Sequence, residues 1–510
     1  MVGVRIALLL LSFKLKIPKT IMALFNKKRK FKNPLIRNRG GGLAFRQDAK
    51  LHLASLLLTS FAQDQYYRKA KQTHQELFNL LDQVDPVFAA KAAVYARKTY
   101  GMRSITHLLA ARLATKASGH IWAKDFYQSI VQRPDDMLEI YAAYRALGNE
   151  KLPNAMKKGF AQAFTQFDAY QLAKYRGQER SVKLVDLVNL VHPKPTAHNQ
   201  GAIGKLVNQD LKAVNTWEAK LSNAGQATTV IAKKEQKAAA WSDLIREQKI
   251  GYFALLRNLR NIAEQAPEVL DQALKTLVDR QRIKKSKVLP FRYLTAQDAI
   301  LEAQVSIRNK RRIQRALNRA LEISVDNVPV FDGRTLVVLD DSGSMTWVAK
   351  GRGKPPIQIG AIFAAMLYKS NDADLMRFSD RAAYVYPFFR DSIFGITDQL
   401  VKNARSAGTN FHAIFQRANK AYDRIIILSD MQGWIGTYSP KKTFEAYKRK
   451  YQADPFVYSF DLQGYGSLQL PQQKTFCLAG FSDKVFDLMA LLETDPQALI
   501  HEIEAIKFVV

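Results

Sequence analysis

The sequence predicts a multidomain protein, with an α-helical repeat region followed by a doubly wound, Rossmann-like α/β domain. Apolar side chains recur at helical spacing from about residue 49 to 324, whereas strand-like and helical stretches alternate after about residue 328. Charge separates the same two regions. Residues 331–510 hold 21 Lys and Arg against 19 Asp and Glu, a net charge of +2, and residues 1–330 hold 56 against 26, a net charge of +30.

The overall composition limits the class of protein and its surroundings. A length of 510 residues exceeds what one hydrophobic core normally organises, and an apolar fraction of 47% excludes wholesale disorder. The one cysteine, Cys477, excludes a disulfide framework and fits a reducing, cytoplasmic location. The net charge of +32 indicates a polyanionic partner for the first 330 residues. Nucleic acid is favoured over an anionic membrane, and a basic surface that serves only solubility is the alternative.

Residues 1–47 are predicted to be a basic N-terminal arm. The apolar run at residues 6–11 resembles the core of a signal peptide, but lysines follow it at once and it is too short to span a bilayer. Met22 begins a stretch typical of a natural start, so residues 1–21 are predicted to be an upstream extension. Residues 26–42 are basic and end in three glycines. Alone, they should be mobile, because such a run cannot pack a core; they either clamp phosphates or remain a solvated tail.

Residues 48–328 are predicted to form the helical repeats. Breaks such as Asp85-Pro86 and Arg133-Pro134 separate helices of similar length, which suggests an α-solenoid although no sequence repeat is visible. Solenoids offer concave surfaces and channels that suit an extended polyanion. The polar, lysine-rich residues 200–245 are expected to form a long exposed helix or a helical hairpin.

Two segments of the helical region contain candidate functional side chains. Lys174, Arg176 and Arg180 form a basic cluster near Tyr175, and His192 follows a short apolar helix. Lysine and arginine bind phosphates, and the rings can stack on a base, although lone histidines are more often structural. In residues 254–262, a structural role is favoured for Arg257 and Asn258, as caps or links between helices.

Residues 329–510 are predicted to form the α/β domain. The predicted strands are residues 335–339, 375–378, 383–386, 424–428 and 455–460, and the predicted helices are residues 358–368, 393–401, 411–420, 486–492 and 498–506. Alternation of this kind favours a mostly parallel sheet.

Five oxygen-bearing side chains follow strands or loops of this domain. Asp340, Ser342 and Ser344 occupy alternate positions after the first strand, Thr409 lies in a Gly-Thr loop, and Asp430 follows a second strand. Because parallel strands end at one edge of the sheet, we expect these side chains to converge on a hard divalent cation, Mg²⁺ in particular. Two carboxylates and three hydroxyls leave a coordination position for an acidic group of a partner. A site that is empty or purely structural is the alternative.

In order, spacing and strand context, this set resembles the metal-ion-dependent adhesion site of von Willebrand factor A domains. The resemblance implies that Ser342, Ser344 and Thr409 bind the metal through their hydroxyls and that Asp340 and Asp430 hold it mainly through waters. In that family the site binds ligands and usually catalyses nothing. The chain shows no Ser-His-Asp or metal-hydrolase spacing, so we expect no enzymatic activity.

The whole chain, from about residue 40 to 510, resembles the TROVE-module proteins, which include the Ro ribonucleoprotein autoantigen and its bacterial relatives. The resemblance is carried by the α/β-domain set together with Gly40-Gly41-Gly42-Leu43-Ala44-Phe45, Lys174-Tyr175-Arg176, Val191-His192-Pro193-Lys194-Pro195, Leu255-Leu256-Arg257-Asn258-Leu259 and Pro290-Phe291. It implies a monomeric ring of HEAT-like helices, closed by contact with the A domain. It also implies that Lys174 and His192 match RNA-contacting positions, with Arg176 and Arg180 as near matches.

The resemblance further implies a function. Family members bind small structured Y RNAs on the outer surface and pass single-stranded ends of misfolded RNA through the central hole, and bacterial relatives can join exoribonucleases. We therefore expect an RNA-binding ring that acts in RNA quality control, processing or decay. A metal-dependent protein-interaction scaffold is the alternative. A metal nuclease ranks third, because the site has few carboxylates for a two-metal mechanism.

Overall fold

The structure is a computed structural model of the chain. It describes residues 35–46, 48–59, 70–177, 181–212, 216–286, 288, 290–328, 330–348, 355–388, 390–463, 465, 467–470, 474–478, 489–490, 492–493, 495 and 497–508. Two regions are seen, a helical module and an α/β domain, as the sequence predicts. Among the described residues, no helix combines the length and apolar character needed to cross a bilayer.

The helical module is α-helical nearly throughout, because short loops separate consecutive amphipathic segments. Its helices are α1 (Ala49–Thr59), α2 (Ala70–Leu81), α3 (Pro86–Thr99), α4 (Ser104–Leu113), α5 (Ala123–Ile130), α6 (Pro134–Ala146), α7 (Asn154–Ala163), α8 (Ala169–Lys174), α9 (Leu184–Val191), α10 (Gln200–Val207), α11 (Trp217–Ala224), α12 (Val230–Arg246), α13 (Tyr252–Gln265), α14 (Leu270–Leu277), α15 (Arg280–Ser286), α16 (Pro290–Leu301) and α17 (Ile307–Ser324). The predicted breaks are confirmed. Asp85 caps α3 by accepting the N–H of Val87 at 2.6 Å, and Pro134 occupies the first turn of α6.

The polar segment at residues 200–245 forms helices, as predicted. α11 and α12 pack together as a helical hairpin in which the rings of Trp217 and Trp241 stack with centroids 6.2 Å apart. Most of α12 is exposed, but Trp241, Leu244 and Ile245 are buried against the rest of the module. These apolar anchors explain why a lysine-rich helix stays attached.

The α/β domain has a six-stranded sheet. Its strands are β3 (Thr335–Asp340), β4 (Ala373–Phe378), β5 (Ala382–Val385), β6 (Arg424–Ser429), β7 (Phe456–Asp461) and β9 (Thr475–Leu478), in the spatial order β5-β4-β3-β6-β7-β9. All neighbouring pairs are parallel except β4 with β5. The helices are α18 (Gly343–Thr346), α19 (Pro356–Ser370), α20 (Ile393–Lys402), α21 (His412–Arg417), α22 (Lys441–Tyr451) and α23 (Ala498–Glu504).

The doubly wound sheet is therefore confirmed, and the structure adds the helices α18 and α22 and the strand β9, which the sequence did not predict. Of the predicted helix at residues 486–492, residues 489, 490 and 492 are helical and the others lie outside the described residues. Cys477 is buried in β9.

The two faces of the sheet belong to different cores, because successive side chains of a strand point to opposite faces. Val337 and Leu339 of β3 face α19 and α20, in an apolar cluster that continues into the helical module. Leu336 and Val338 face the other way, in a cluster with α21 and α22. The α/β domain and the helical module thus share one continuous core on a single face of the sheet.

Both ends of the helical module contact the α/β domain. At the N-terminal end, α1 and α3 pack against α23, and the Lys50 Nζ lies 2.5 Å from Glu504 Oε1. At the C-terminal end, α16 and α17 pack against α19 and α20. There Glu322 pairs with Lys369 at 3.2 Å and accepts the N–H of Ile393 at 2.9 Å. The helices and the α/β domain therefore close a ring, as expected.

Part of the basic arm, which was expected to be mobile alone, is ordered by a partner strand of the α/β domain. Residues 35–46 form a hairpin of β1 (Leu35–Arg37) and β2 (Leu43–Arg46), and β2 pairs with β8 (Ser467–Leu468) of the α/β domain. The turn of this hairpin approaches the chain so closely that a Cβ on Gly42 would lie 2.1 Å from the carbonyl oxygen of Gly433. Glycine and a distant partner strand, rather than local hydrophobicity, order this segment. Residues 1–34 lie outside the described residues.

Candidate metal centre and basic surface

The structure places Asp340, Ser342, Ser344, Thr409 and Asp430 at one edge of the sheet. Asp340 ends β3, and Asp430 directly follows β6, the parallel neighbour of β3. All five side chains are buried, and the hydroxyl oxygens of Ser342 and Ser344 lie 3.4 Å apart. The predicted convergence of the two strand ends is confirmed.

Backbone hydrogen bonds join the three loops that carry these residues. The N–H of Gly343 donates to the carbonyl of Ala407 at 3.0 Å, and the N–H of Ser406 donates to the carbonyl of Asp341 at 2.9 Å. The loop after β6 is tied in as well, since the N–H of Trp434 donates to the carbonyl of Thr409 at 3.1 Å. The loop of Thr409 is therefore held between the other two.

The two carboxylates have different partners. Asp340 accepts hydrogen bonds from the N–H of Ser342 at 2.9 Å and from the hydroxyl of Ser429 at 2.6 Å. Asp430 accepts the N–H of Gln432 through Oδ1 at 3.2 Å, but its Oδ2 has no hydrogen-bond partner among the described residues. The edge of the sheet thus holds a buried carboxylate oxygen that lacks a donor.

The electrostatics of this pair favour a cation. Burial raises the pKa of Asp340 to about 6. Burial and the neighbouring charge of Asp340 raise the pKa of Asp430 to about 8. Two ionised carboxylates so placed repel each other unless a positive charge lies between them. The hard oxygen donors and the free Oδ2 therefore fit a divalent cation.

Three residues that sequence reasoning did not assign also shape the site. Asp341 is fully buried, and neither of its carboxylate oxygens has a hydrogen bond within the described part of the chain. The Arg405 Nε lies 3.6 Å from Asp341 Oδ2, and this ion pair links the loop after β3 to the loop of Thr409. Met431, after Asp430, has a left-handed backbone with φ of 61°, a strained turn whose N–H donates to Ser429 Oγ at 2.9 Å. The acidic Asp341 beside Asp340 was the only sequence signal.

The described residues contain no group of three or more His, Cys, Asp or Glu side chains that could hold a metal ion. A site here would therefore depend on hydroxyl ligands, which hard cations accept.

The second candidate site lies at the end of α8. Lys174 is exposed there, and its Nζ lies 5.7 Å from the ring centroid of Tyr175 and 5.9 Å from that of Tyr170. The guanidinium of Arg133 also stacks over a ring of this group, 4.4 Å from the centroid of Tyr175. Two cations around one tyrosine form a basic, aromatic surface of the type that binds single strands.

The other residues predicted to bind RNA are Arg176, His192 and Arg180, of which the two that the structure describes do not form one cluster with Lys174. Arg176 donates a hydrogen bond to the carbonyl of Leu211 and, with Lys183, lines a cavity of about 370 Å³. His192 is exposed and ends α9 in a left-handed conformation, with φ of 49°. No hydrogen bond or ring contact joins Lys174 or Arg176 to His192 in the described structure. Arg180 lies outside the described residues.

Asn258 is structural, as predicted, but its hydrogen bonds stay within α13 instead of capping or linking helices, and Arg257 does not fit the prediction. Asn258 is buried, donates to the carbonyl of Ala254 at 2.9 Å and accepts from Asn261 at 3.2 Å. Arg257 is exposed, and no hydrogen bond or ion pair links it to a neighbouring helix among the described residues. The alternation of buried and exposed positions on α13 explains the error, because neighbouring residues of a helix point in different directions.

The fold and the sheet-edge site together define a class, in which a ring of helices is closed by a von Willebrand factor A-like domain. The TROVE domain model matches residues 45–228 and 178–337, which together span more than half of the chain. The chain belongs to the TROVE domain family.

The chain is also similar to two relatives and to one solved structure. The chain is 24% identical over 346 residues to telomerase protein component 1 of Mus musculus, a match that covers 52% of this chain and 13% of that protein. Over 476 residues it is 22% identical to the RNA-binding protein RO60 of Deinococcus radiodurans, covering 81% of this chain and 86% of that protein. Its fold matches the crystal structure of the Deinococcus radiodurans RO (RSR) protein with a TM-score of 0.59 and 17% identity, over 89% of this chain and 99% of that one. The chain spans only about an eighth of the telomerase component.

Proposed function

We propose that this chain is an RNA-binding protein and a component of a ribonucleoprotein. The observation that carries the proposal is a helical module of the TROVE family within a region whose net charge is +30. The relative that covers most of the chain bears the name RNA-binding protein RO60. The exposed Lys174 provides a phosphate-binding group on that module, and Tyr175 beside it provides an aromatic ring; Arg133, which stacks on that ring, is paired with Asp135.

The finer assignment is a cytoplasmic, non-catalytic and monomeric ring that binds small Y-like RNAs and single-stranded ends of misfolded RNA. It then acts in RNA quality control, processing or decay, with an exoribonuclease as a partner. The ring closure supports this assignment, since a closed ring offers an outer surface for a folded RNA and a passage for a free end.

The test is an affinity measurement with three nucleic acids. A hairpin RNA with a single-stranded 3′ tail should bind more tightly than the same hairpin without the tail, and blunt duplex DNA should compete poorly at physiological salt. Affinity should fall by orders of magnitude between roughly 50 and 200 mM salt, because binding to phosphates releases counterions. Equal competition by duplex DNA at physiological salt contradicts the proposal.

A matched pair of variants locates the binding surface. Lys174→Gln with His192→Gln should weaken binding of the tailed hairpin and reduce the salt dependence by about one ion for each lysine that binds a phosphate. Lys402→Gln with Arg449→Gln changes two exposed cations of the α/β domain and should leave the affinity unchanged. Equal losses of affinity in both double variants would indicate a diffuse charge effect.

At the sheet edge, we propose that the hydroxyls of Ser342, Ser344 and Thr409 hold a divalent cation, with Mg²⁺ as the best match. Asp340 and Asp430 would hold it mainly through waters. The free Oδ2 of Asp430 and its raised pKa support this assignment. When bound, the cation supplies an open coordination position for an oxygen ligand.

A second function, a metal-dependent protein-interaction scaffold, is favoured by one observation. Trp434 and Trp347 remain 49% and 39% exposed on either side of the Thr409 loop. Trp434 packs on Gly408, and Trp347 follows Thr346, whose hydroxyl lies 3.0 Å from that of Ser406. An acidic side chain with apolar neighbours would fit such a rim. Partners retained after nuclease treatment but lost with a chelator would support the scaffold, and the reverse pattern would support RNA-mediated assembly.

A further inference from the structure

α13 presents an aromatic ring and a guanidinium side by side to solvent. Phe253 is 44% exposed, and Arg257 lies one helical turn further on the same exposed face. Side chains four residues apart on a helix are neighbours, with Cβ atoms about 6 Å apart. Within the described residues, Arg257 has no ion-pair partner. Arg257 therefore lacks the partner that a purely structural role would provide.

A second guanidinium reaches the same ring from a neighbouring helix. The Arg292 Cζ of α16 lies 5.5 Å from the centroid of the Phe253 ring, and α13 packs against α16. Partial burial and the positive charge of Arg257 lower the pKa of Arg292. Two guanidinium groups are thus placed beside one exposed aromatic ring, Arg257 on the same helix and Arg292 on the neighbouring one.

We propose that Phe253, Arg257 and Arg292 form a binding site for one nucleotide of a single-stranded RNA. The base stacks on the ring of Phe253, and the guanidiniums of Arg257 and Arg292 bind the adjacent phosphates. An aromatic ring combined with basic groups is the usual sequence-tolerant arrangement for single strands, because every base has a π-face. Arginine suits this role since its planar group both stacks and donates hydrogen bonds to phosphate oxygens.

The geometry of this site favours a nucleotide, rather than an anionic membrane, as its ligand. Stable membrane association requires an extended apolar face or two separate anchoring signals, whereas this site offers one aromatic ring. One ring and two cations match one base and its phosphates. The site lies on α13 and α16, and so is distinct from the Lys174 surface at the end of α8.

This inference rests on the proposed RNA-binding function, and the test separates the two. The probes are a fluorescently labelled single-stranded RNA and an abasic strand of the same length, which keeps the phosphates and lacks the bases. Phe253→Leu should weaken binding of the RNA roughly five- to hundred-fold, because it removes the stacking surface, and should leave binding of the abasic strand unchanged. Phe253→Trp should retain the affinity for RNA.

The arginines should give the complementary pattern. Arg257→Gln with Arg292→Gln should weaken binding of both strands and lower the slope of log affinity against log salt by about 0.7 for each phosphate that the variant no longer binds. The control for the ring is Phe388→Leu, which changes an exposed aromatic side chain of the α/β domain. The control for the arginines is the double variant Lys402→Gln with Arg449→Gln. Thermal melting should give the same Tm for Phe253→Leu and wild type, since the ring is exposed.

Each outcome decides one of the two proposals. Variants that bind RNA like their controls overturn the site while RNA binding by the wild type stands. A wild-type protein that binds neither the single strand nor a tailed hairpin overturns both. If Phe253→Leu loses binding to phosphatidylserine vesicles and keeps the wild-type affinity for RNA, the ligand of this site is a lipid surface and not a nucleotide.

Discussion

Two fully buried aspartates, one in each region of the molecule, have opposite surroundings. Asp136 in the helical module accepts two backbone N–H groups, from Gln132 at 2.9 Å and Arg133 at 3.0 Å. It also accepts the guanidinium of Arg97, at 2.8 Å, and lies 3.1 Å from His107 Nε2. Asp430 in the α/β domain accepts one N–H and leaves Oδ2 without a partner in the described structure.

The pKa values follow this difference. Burial alone would raise the pKa of Asp136, but the hydrogen bond from His107 and the charge of Arg97 outweigh burial and hold that pKa well below its usual range. For Asp430, burial and the charge of Asp340 act in the same direction and raise the pKa, and they outweigh the hydrogen bonds from Ser344 and Gln432, which lower it. A buried carboxylate with all its donors inside the chain serves the fold, whereas one without them requires a proton or a cation. The contrast distinguishes a structural site from a candidate binding site without any appeal to sequence motifs.

The largest expected effect is the loss of Asp136. Asp136→Ala should destabilise the protein by about 3–5 kcal/mol, because it leaves Arg97 buried without its counter-charge. Urea unfolding at neutral pH measures this difference. Glu302→Ala, which removes an exposed carboxylate, should change the free energy of unfolding by less than about 0.5 kcal/mol. Similar values for the two variants would show that the Asp136 network does not stabilise the fold.

The same stability difference should depend on pH. The folded-state pKa of Asp136 lies below its unfolded value, so its contribution is fully present above the unfolded pKa of about 3.9 and is lost as the pH falls through the folded pKa. The difference between wild type and Asp136→Ala should therefore stay constant from neutral pH down to about pH 5 and shrink only in more acidic solution. A difference that already disappears between about pH 7 and 6 would contradict this assignment, because Asp136 does not change its charge in that range.

The two aspartates also show how far the sequence could predict the molecule. The strand ends at Asp340 and Asp430 were predictable, because an apolar run followed by a polar residue is a local pattern and parallel strands must end at a common edge. The role of Asp136 was not predictable, since Arg97 and His107 lie on α3 and α4, at sequence separations of 39 and 29 residues from Asp136. Long-range partners of this kind leave no periodic signal.

Distant partners are also the reason why the order of the N-terminal hairpin and the contact of Arg176 were not predicted. Arg39 donates its N–H to Gln432 Oε1 at 2.8 Å, across a separation of 393 residues, so a segment that is basic and glycine-rich by composition is ordered by a distant loop. Arg176 donates to the carbonyl of Leu211, which a phosphate-binding prediction did not include. Exposed cations were predictable as a class, but their individual contacts were not.

The second largest effect is expected at the proposed metal centre of the α/β domain, where a bound cation should stabilise the fold. Magnesium ions at about a hundred times the dissociation constant should stabilise the wild type by about 2.7 kcal/mol, because they bind only the folded protein. Asp430→Asn should abolish this gain. Without metal, the variant should be at least as stable as wild type, since the amide removes the repulsion with Asp340. Thermal melting with and without Mg²⁺ measures both effects, and a wild type that is not stabilised by Mg²⁺, Ca²⁺ or Mn²⁺ would contradict the proposed metal centre.

The smallest expected effect concerns the hairpin that contacts the loop after Asp430. Gly42→Ala should cost about 1–3 kcal/mol, because the new Cβ meets the backbone of Gly433, which cannot move aside without shifting the loop. Gly201→Ala, in the first turn of α10 with no atom within 4 Å of the new Cβ, should instead stabilise the protein by roughly 0.5–1 kcal/mol. If the hairpin orders the metal-bearing edge, Gly42→Ala should also weaken Mg²⁺ binding, as measured by the metal-induced shift in Tm. If Gly42→Ala lowers the stability but leaves the Mg²⁺-induced shift in Tm unchanged, the hairpin has only a structural role. Metal binding at the unpartnered oxygen of Asp430 would then not depend on the N-terminal segment.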